Sequence, residues 1–263
     1  MMKIDLSNKK ALVGGSTSGI GKAIAIQLAK CGAQVTLMAR NEQRLKETLA
    51  LLDTTQNQQH QYLVVDFNNL NDYKQQIENY FTKYTVEILV NNTQGPPAGS
   101  VLEKSAADWQ QAFDLLFQSV TTTTQLALPA MQQNRYGRII NVASVSVKEP
   151  LPYLALSNAM RSALVSWSKT LATQVAASNV TVNSLLTGYF NTERLQSLLQ
   201  NQAKNSGIEL DVVTQQKEQQ VPAKRFGEPE EYAYLVAFLA SPYAAYITGT
   251  NIPIDGGLLK SGW

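Results

Sequence analysis

What this chain has little of excludes more than its abundant residues suggest. Among 263 residues there is one cysteine, Cys31, and one histidine, His60. A single cysteine rules out an internal disulfide framework and a multi-cysteine zinc site. Cys31 stands just before Gly32-Ala33 at the end of a helical pattern, so it reads as a buried structural thiol. A single histidine argues against a histidine-based triad and a multi-histidine metal centre. It sits in the polar tract from Gln56 to Gln61 and reads as a solvated loop residue. No metal site is expected.

Charge is also sparse. Charged residues make up 16% of the chain and the net charge is +2, with no basic run, so nothing points to nucleic acid. No stretch approaches the roughly eighteen apolar residues of a membrane span. The opening Met1-Met2-Lys3-Ile4-Asp5-Leu6 lacks the apolar core of a signal peptide, and the cytoplasm is the expected location. No Pro-, Gly- or Ser-rich linker and no internal repeat divides the chain. Residues 1–263 are expected to form a single domain, and 44% hydrophobic content is enough for a sizeable core. The Gln-rich patches Gln56 to Gln61, Gln196 to Gln202 and Gln215 to Gln220 read as polar surface.

Short β-type runs alternate with longer helical patterns. The strands are expected at Lys10–Val13, Gln34–Met38, Gln61–Val65, Glu87–Val90, Arg138–Val142, Val180–Ser184 and Asn251–Ile254. They are too continuously apolar for one-sided sheets, so helices should cover both faces. Helical stretches run from Gly21 to Lys30, Gln43 to Leu52, Leu70 to Lys83, Ala106 to Asn134, Ser157 to Ala177 and Pro229 to Ala240. The alternation predicts an α/β fold, a Rossmann-type doubly wound parallel sheet.

Between the first strand and the first helix lies Gly14-Gly15-Ser16-Thr17-Ser18-Gly19-Ile20-Gly21. Glycines at 15, 19 and 21 permit a tight turn and let the backbone approach a pyrophosphate at the helix N-terminus. A glycine cluster alone is weak, but in a βαβ unit it is a strong nucleotide signal. The second strand ends Met38-Ala39-Arg40-Asn41 without the carboxylate that would bind the ribose hydroxyls of NAD. Arg40 suits a 2′-phosphate, which favours NADP(H) over NAD(H). The alternative is an arginine that opens the next helix and faces water.

With these motifs in place, the chain resembles the short-chain dehydrogenase/reductase family over roughly Leu6 to Gly262. The glycine loop, Val65-Asp66 and Leu89-Val90-Asn91-Asn92-Thr93-Gln94-Gly95 all occur in the family's order. So do Gly137 to Ser144, Val182 to Gly188, Arg225 to Glu231 and Asp255-Gly256-Gly257. Asn91 to Pro97, Lys148-Glu149-Pro150 and Leu156 to Arg161 are similar to a 3-oxoacyl-carrier-protein-reductase-like subgroup. The resemblance implies cofactor contacts from Ser16, Thr17, Ser18, Ile20, Asp66, Phe67, Asn92, Thr93, Thr187, Gly188 and Thr192. It implies a small-molecule carbonyl or acyl substrate and a homo-oligomer, tetramer or dimer, built on the helices Ala106 to Met131 and Ser157 to Ala177. The tail Leu258 to Trp263 resembles one that helps make tetramers.

In the family a serine polarises the substrate carbonyl. A tyrosine thirteen residues later moves the proton, and a lysine four beyond lowers its pKa and holds the ribose. A helix asparagine completes a relay. Counted from Ser144, those positions fall on Ser157, Arg161 and, for the asparagine, near Leu116. Arg161 keeps the charge and can hold ribose hydroxyls, since residues four apart share a helix face. Ser157 is the larger change, because an alkyl hydroxyl is a far weaker acid than a phenol of pKa about 10; it could also be no more than a helix-start residue. Tyr153, Tyr189 or a water between Ser144, Ser157 and Arg161 could replace the donor. The segment 189–224 is expected to form a helical lid over the substrate. Two readings stand: an NADP(H)-dependent reductase with a non-standard proton donor, or a nucleotide-binding sensor or scaffold that has lost the chemistry. A nucleotide-sugar epimerase-like relative is weaker, since those proteins carry a larger C-terminal region and the same tyrosine–lysine pair.

Overall fold

The structure is a computed structural model, and it describes residues 3–261. Strands β1 (Lys10–Gly14), β2 (Gln34–Ala39), β3 (Gln61–Val64), β4 (Ile88–Asn91), β5 (Gly137–Val142), β6 (Val180–Thr187) and β7 (Asn251–Ile254) form one parallel sheet. Their order is β3-β2-β1-β4-β5-β6-β7. The chain therefore leaves β1 in one direction through β2 and β3, then returns to β4 on the other side. That reversal opens a crevice at the strands' C-terminal ends, where ligands of such sheets bind.

Each strand alternates between two apolar layers, because successive side chains point to opposite faces. Leu12, Leu89, Ile139 and Val182 face a core with Ile77, Met131 and Val175. Val13, Val35, Leu37, Val90 and Ile140 face another core with Ile24, Leu28, Val236 and Ala240. The helices that supply these partners are α1 (Gly19–Lys30) and α9 (Pro229–Ala240) on one face. On the other lie α3 (Leu70–Phe81), α5 (Ser119–Gln133) and α6 (Ala155–Val175). The remaining helices are α2 (Glu42–Leu49), α4 (Ala106–Phe113), α7 (Glu193–Ser206) and α8 (Leu210–Gln220). Cys31 ends α1 as a buried residue, and burial raises its pKa, as a structural thiol requires.

Three sequence expectations need correction. The helix expected from Ala106 to Asn134 is interrupted by a π-helical turn at Asp114–Gln118, which contains Leu115 and Leu116. His60 is half-buried, and neither of its ring nitrogens is left to water. The Val35 amide donates to its Nδ1 at 3.0 Å, and Nε2 lies 2.8 Å from the Asp53 carbonyl. The imidazole thus continues the ladder where β3, whose first paired residue is Gln61 opposite Thr36, stops short of Val35. Finally, the patch Gln215 to Gln220 is not all polar surface, because Lys217 within it is buried.

Candidate active site

The glycine loop is held from two sides. Gly15 has φ +55°, a conformation that favours glycine, and a Cβ on Gly21 would come 2.2 Å from the Gly15 carbonyl oxygen. Asn92 Nδ2 donates to the Gly14 carbonyl at 3.0 Å, while the Met38 amide donates to Ser16 Oγ at 2.9 Å. Ser16 is fully buried, and its amide donates in turn to the Met38 carbonyl at 3.5 Å, so side chain and backbone together fix the loop to β2. Ser18, extended and without a side-chain cap, opens α1, and no acidic residue occupies the first turn. Thr17, Ser18 and Ile20 stay half-buried at the rim, as does Thr93 beyond Asn92. Free amides at an uncapped helix start, lined by glycines, fit a pyrophosphate.

At the end of β2, Arg40 is exposed and makes no ion pair among the described residues. It lines a surface cavity with Asn41, Val65 and Asp66. Asp66 Oδ1 accepts from the Asn68 amide at 3.0 Å, which leaves its second oxygen unspent. Phe67 is buried and turns its ring inward onto Tyr73, with centroids 5.2 Å apart, so its side chain belongs to the core. The arrangement fits an adenosine whose 2′-phosphate meets Arg40.

The centre of the crevice holds Ser144, Ser157 and Arg161. Ser144 follows β5, and its Oγ accepts from the Ser146 amide at 3.1 Å, leaving its own proton to donate. Ser157 is 8% exposed and lies in the first turn of α6. Arg161 Nε donates to Ser157 Oγ at 3.2 Å, one turn further along. Ser157 therefore does not cap the helix. Arg161 Nη1 donates to the Val142 carbonyl at the end of β5. Burial lowers the Arg161 pKa to about 10, opposed by Tyr232 and reinforced by Arg194, so the group stays charged at neutral pH. Leu116, near the family's asparagine position, is buried and brings no polar atom.

Tyr153 and Tyr189 do not compete for separate positions. Helix α6 begins at Ala155, which leaves Tyr153 in the preceding turn, tied through its carbonyl to the Gly99 amide at 2.8 Å. Its hydroxyl neighbours that of Tyr189, whose pKa is raised by burial and then by Tyr153. The Lys217 ammonium lies over both rings, 5.0 Å from the Tyr189 centroid and 5.9 Å from that of Tyr153.

Helices α7 and α8 turn on Gly207, whose φ is +67°, and share a small cluster of Leu195, Leu199, Ala203, Val213 and Phe226. Thr192 caps α7 by accepting from the Leu195 amide, and a Cβ on Gly19 would come within 2.9 Å of Thr192 Cγ2. Arg194 Nη2 donates to the Pro96 carbonyl at 3.0 Å and lines a cavity of about 240 Å³ with Gln94, Gly95 and Leu156. Thr187, in the family's proline position, donates to the buried Tyr232 hydroxyl at 3.1 Å, and Gly188 lies against Asp255. In the tail, Leu258 and Leu259 pack on Ala143, Val145 and Leu186, while Gly262 and Trp263 lie outside the described residues. Sequence reading missed Lys217, Arg194 and Tyr232. Arg194 had one available signal, its place two residues after Thr192. The other two had none.

No helix among the described residues is long and apolar enough to cross a membrane. A family model described as Enoyl-(Acyl carrier protein) reductase matches residues 15–259. The NADPH-dependent reductase BacG of Bacillus subtilis (strain 168) is 31% identical over 97% of this chain and 100% of its own length. The 3-oxoacyl-(acyl-carrier-protein) reductase FabG of Rickettsia prowazekii (strain Madrid E) is 32% identical over 97% of this chain and 99% of its own. Among solved structures, L-sorbose reductase from Gluconobacter frateurii, complexed with NADPH and L-sorbose, has a TM-score of 0.91. It is 32% identical and covers 99% of this chain and 100% of its own. With the match spanning the glycine loop, the crevice and the tail, the chain belongs to the short-chain dehydrogenase/reductase family.

Proposed function

We propose that this protein is an NADPH-dependent reductase of a carbonyl or 3-oxoacyl-type small molecule, with Ser157 and Arg161 in place of the tyrosine–lysine pair. NADPH is the nicotinamide cofactor read from Arg40 and from the relatives named for it. When bound it supplies a hydride to the carbonyl carbon. Ser144 donates its free proton as a hydrogen bond to the carbonyl oxygen and draws charge towards it. Ser157 O–H then gives the developing alkoxide its proton, while the Arg161 guanidinium stabilises the serine oxygen left behind. Water returns that proton.

One observation carries this reading, the hydrogen bond from Arg161 Nε to Ser157 Oγ. The Ser157 oxygen accepts a charged donor and keeps its hydrogen for the substrate, the relation in which an alcohol is most acidified. Serine remains a weaker acid than tyrosine, so turnover is slow on ordinary ketones. We read α7 and α8 as a lid over the crevice, and residues 1–263 as a single cytoplasmic domain. A homo-oligomer, tetramer or dimer, is supported by the half-buried aromatic row Phe113, Phe117 and Trp167 between α4 and α6.

The test is NADPH oxidation over a carbonyl panel by wild type, Ser157→Ala, Tyr153→Phe and the double variant Ser157→Tyr with Arg161→Lys. Wild-type turnover lost in Ser157→Ala and kept in Tyr153→Phe supports the reading. Tight NADPH binding without wild-type turnover, restored in the double variant, identifies a sensor instead.

A further inference from the structure

We propose that Lys217 binds a carboxylate of the substrate, so that the preferred substrates are oxo acids, carbonyl compounds that carry an anionic group beside the reducible one. This rests on the reductase reading above and names its substrate class.

Lysine is almost never fully buried unless it is paired. Lys217 is 9% exposed, yet it has no acidic partner among the described residues. The ion pairs found among the described residues, Arg44–Glu193, Lys46–Glu42 and Arg225–Glu231, all lie elsewhere. Its ammonium also makes no hydrogen bond to the described residues. Burial alone lowers its pKa, with no contribution from a neighbouring charge of either sign. Around it stand two aromatic faces, Tyr189 and Tyr153. These attract a cation through their π faces but accept none of its three N–H donors. Its stem is packed away while the ammonium, partly desolvated, keeps its three donors unspent, and a cation desolvated without a counter-charge is an incomplete site.

The position indicates what completes it. Tyr189 directly follows Gly188, and Tyr153 lies four residues before Ser157. Lys217 therefore stands on the side of the crevice next to the proton-transfer pair. The phosphates of a dinucleotide would lie away from it, at the glycine loop and Arg40. An anion that reaches Lys217 must come from the molecule being reduced. The faces of the two tyrosine rings lie beside the ammonium, and a planar group such as a carboxylate can lie along them. A neutral analogue leaves the partly desolvated ammonium unpaired, which is the arrangement by which polar sites reject substrates lacking a group.

The experiment compares levulinate, benzoylformate and benzoylacetate, each with its methyl ester, in NADPH oxidation by wild type, Lys217→Met and Lys217→Arg. We expect acid over ester in wild type. Lys217→Met should lower the acid-to-ester ratio of kcat/KM by about 10- to 100-fold, and Lys217→Arg should restore much of it. A wild-type ratio near one, or a ratio that Lys217→Met does not move, overturns the inference while the reductase reading stands. If no carbonyl is turned over, the reductase reading fails by itself. Binding of the same acids to the NADPH complex, followed by protein fluorescence, then decides the anion site. Affinity that needs both the carboxylate and Lys217 supports it, and affinity indifferent to either overturns it.

Discussion

Arg161 reaches two elements at once, donating through Nε to Ser157 Oγ at 3.2 Å and through Nη1 to the carbonyl of Val142. It thereby fixes the first turns of α6 against the end of β5, two residues before Ser144. Removing it leaves a carbonyl and a hydroxyl without their charged donor. Arg161→Ala should cost about 1–3 kcal/mol of stability and lower kcat by about 100-fold or more. Arg161→Lys restores the charge but not the planar fork, so it should recover stability only in part. Thermal unfolding and steady-state kinetics on both variants check this.

Arg40 makes no ion pair among the described residues, so its loss should be felt by the cofactor alone. Arg40→Ala should weaken NADPH binding by about 10- to 100-fold and leave NADH nearly unchanged. Titration of the two nucleotides by fluorescence reads the difference. Equal affinity for both in wild type would sink the assignment of Arg40 to the 2′-phosphate.

Gly21 gives the sharpest test of the loop. A methyl there would lie 2.2 Å from the Gly15 carbonyl oxygen and 2.7 Å from Asn92 Nδ2, and the first of these is backbone that cannot swing aside. Gly21→Ala should push the loop away from α1, lower Tm by several degrees and abolish nucleotide binding. Unfolding with and without NADPH would show it as loss of the ligand-induced shift.

Acid stability should depend on Glu231. Arg225 donates to both of its oxygens at 2.7 Å, and the Glu228 amide donates to it at 2.7 Å. These bonds lower its pKa to about 2 from the ordinary 4.5. The unfolded chain then binds the extra proton between those values. The contribution is complete above about pH 4.5 and is lost as pH falls towards about 2. The pair is solvent-exposed, so the effect is small and weakens with salt. Urea midpoints measured down that window should fall less steeply in Glu231→Gln than in wild type.

The fold was legible in the sequence because burial on both faces writes continuous apolar runs. Helix α9 and strand β7 were placed residue for residue. The Ser157–Arg161 pair was legible too, since a spacing of four within one helix settles who meets whom. What stayed hidden depends on side chains distant in the chain. Nothing in the Gln215 to Gln220 tract says that Lys217 turns inward, because the reason is two tyrosines more than twenty residues away. His60 looked solvated for the same reason, its partner being a backbone amide on another strand. The π-turn at Asp114–Gln118 leaves no compositional mark, since it adds one residue per turn to a helix whose apolar spacing is otherwise kept.

The apolar cluster shared by α7 and α8 bears on what a lid would carry with it. That cluster is separate from the two large layers against the sheet, and Phe226 and Tyr189 join it from outside the two helices. The side-chain links from the pair to the rest of the molecule include Arg194 to Pro96, Arg44 to Glu193, Lys217 over the Tyr153 ring and the Thr192 methyl against Gly19. Thr192 Cγ2 would meet a Cβ on Gly19 at 2.9 Å, so α7 begins against the glycine loop. A shift of α7 and α8 as a lid would therefore be felt at the glycine loop as well as over the substrate.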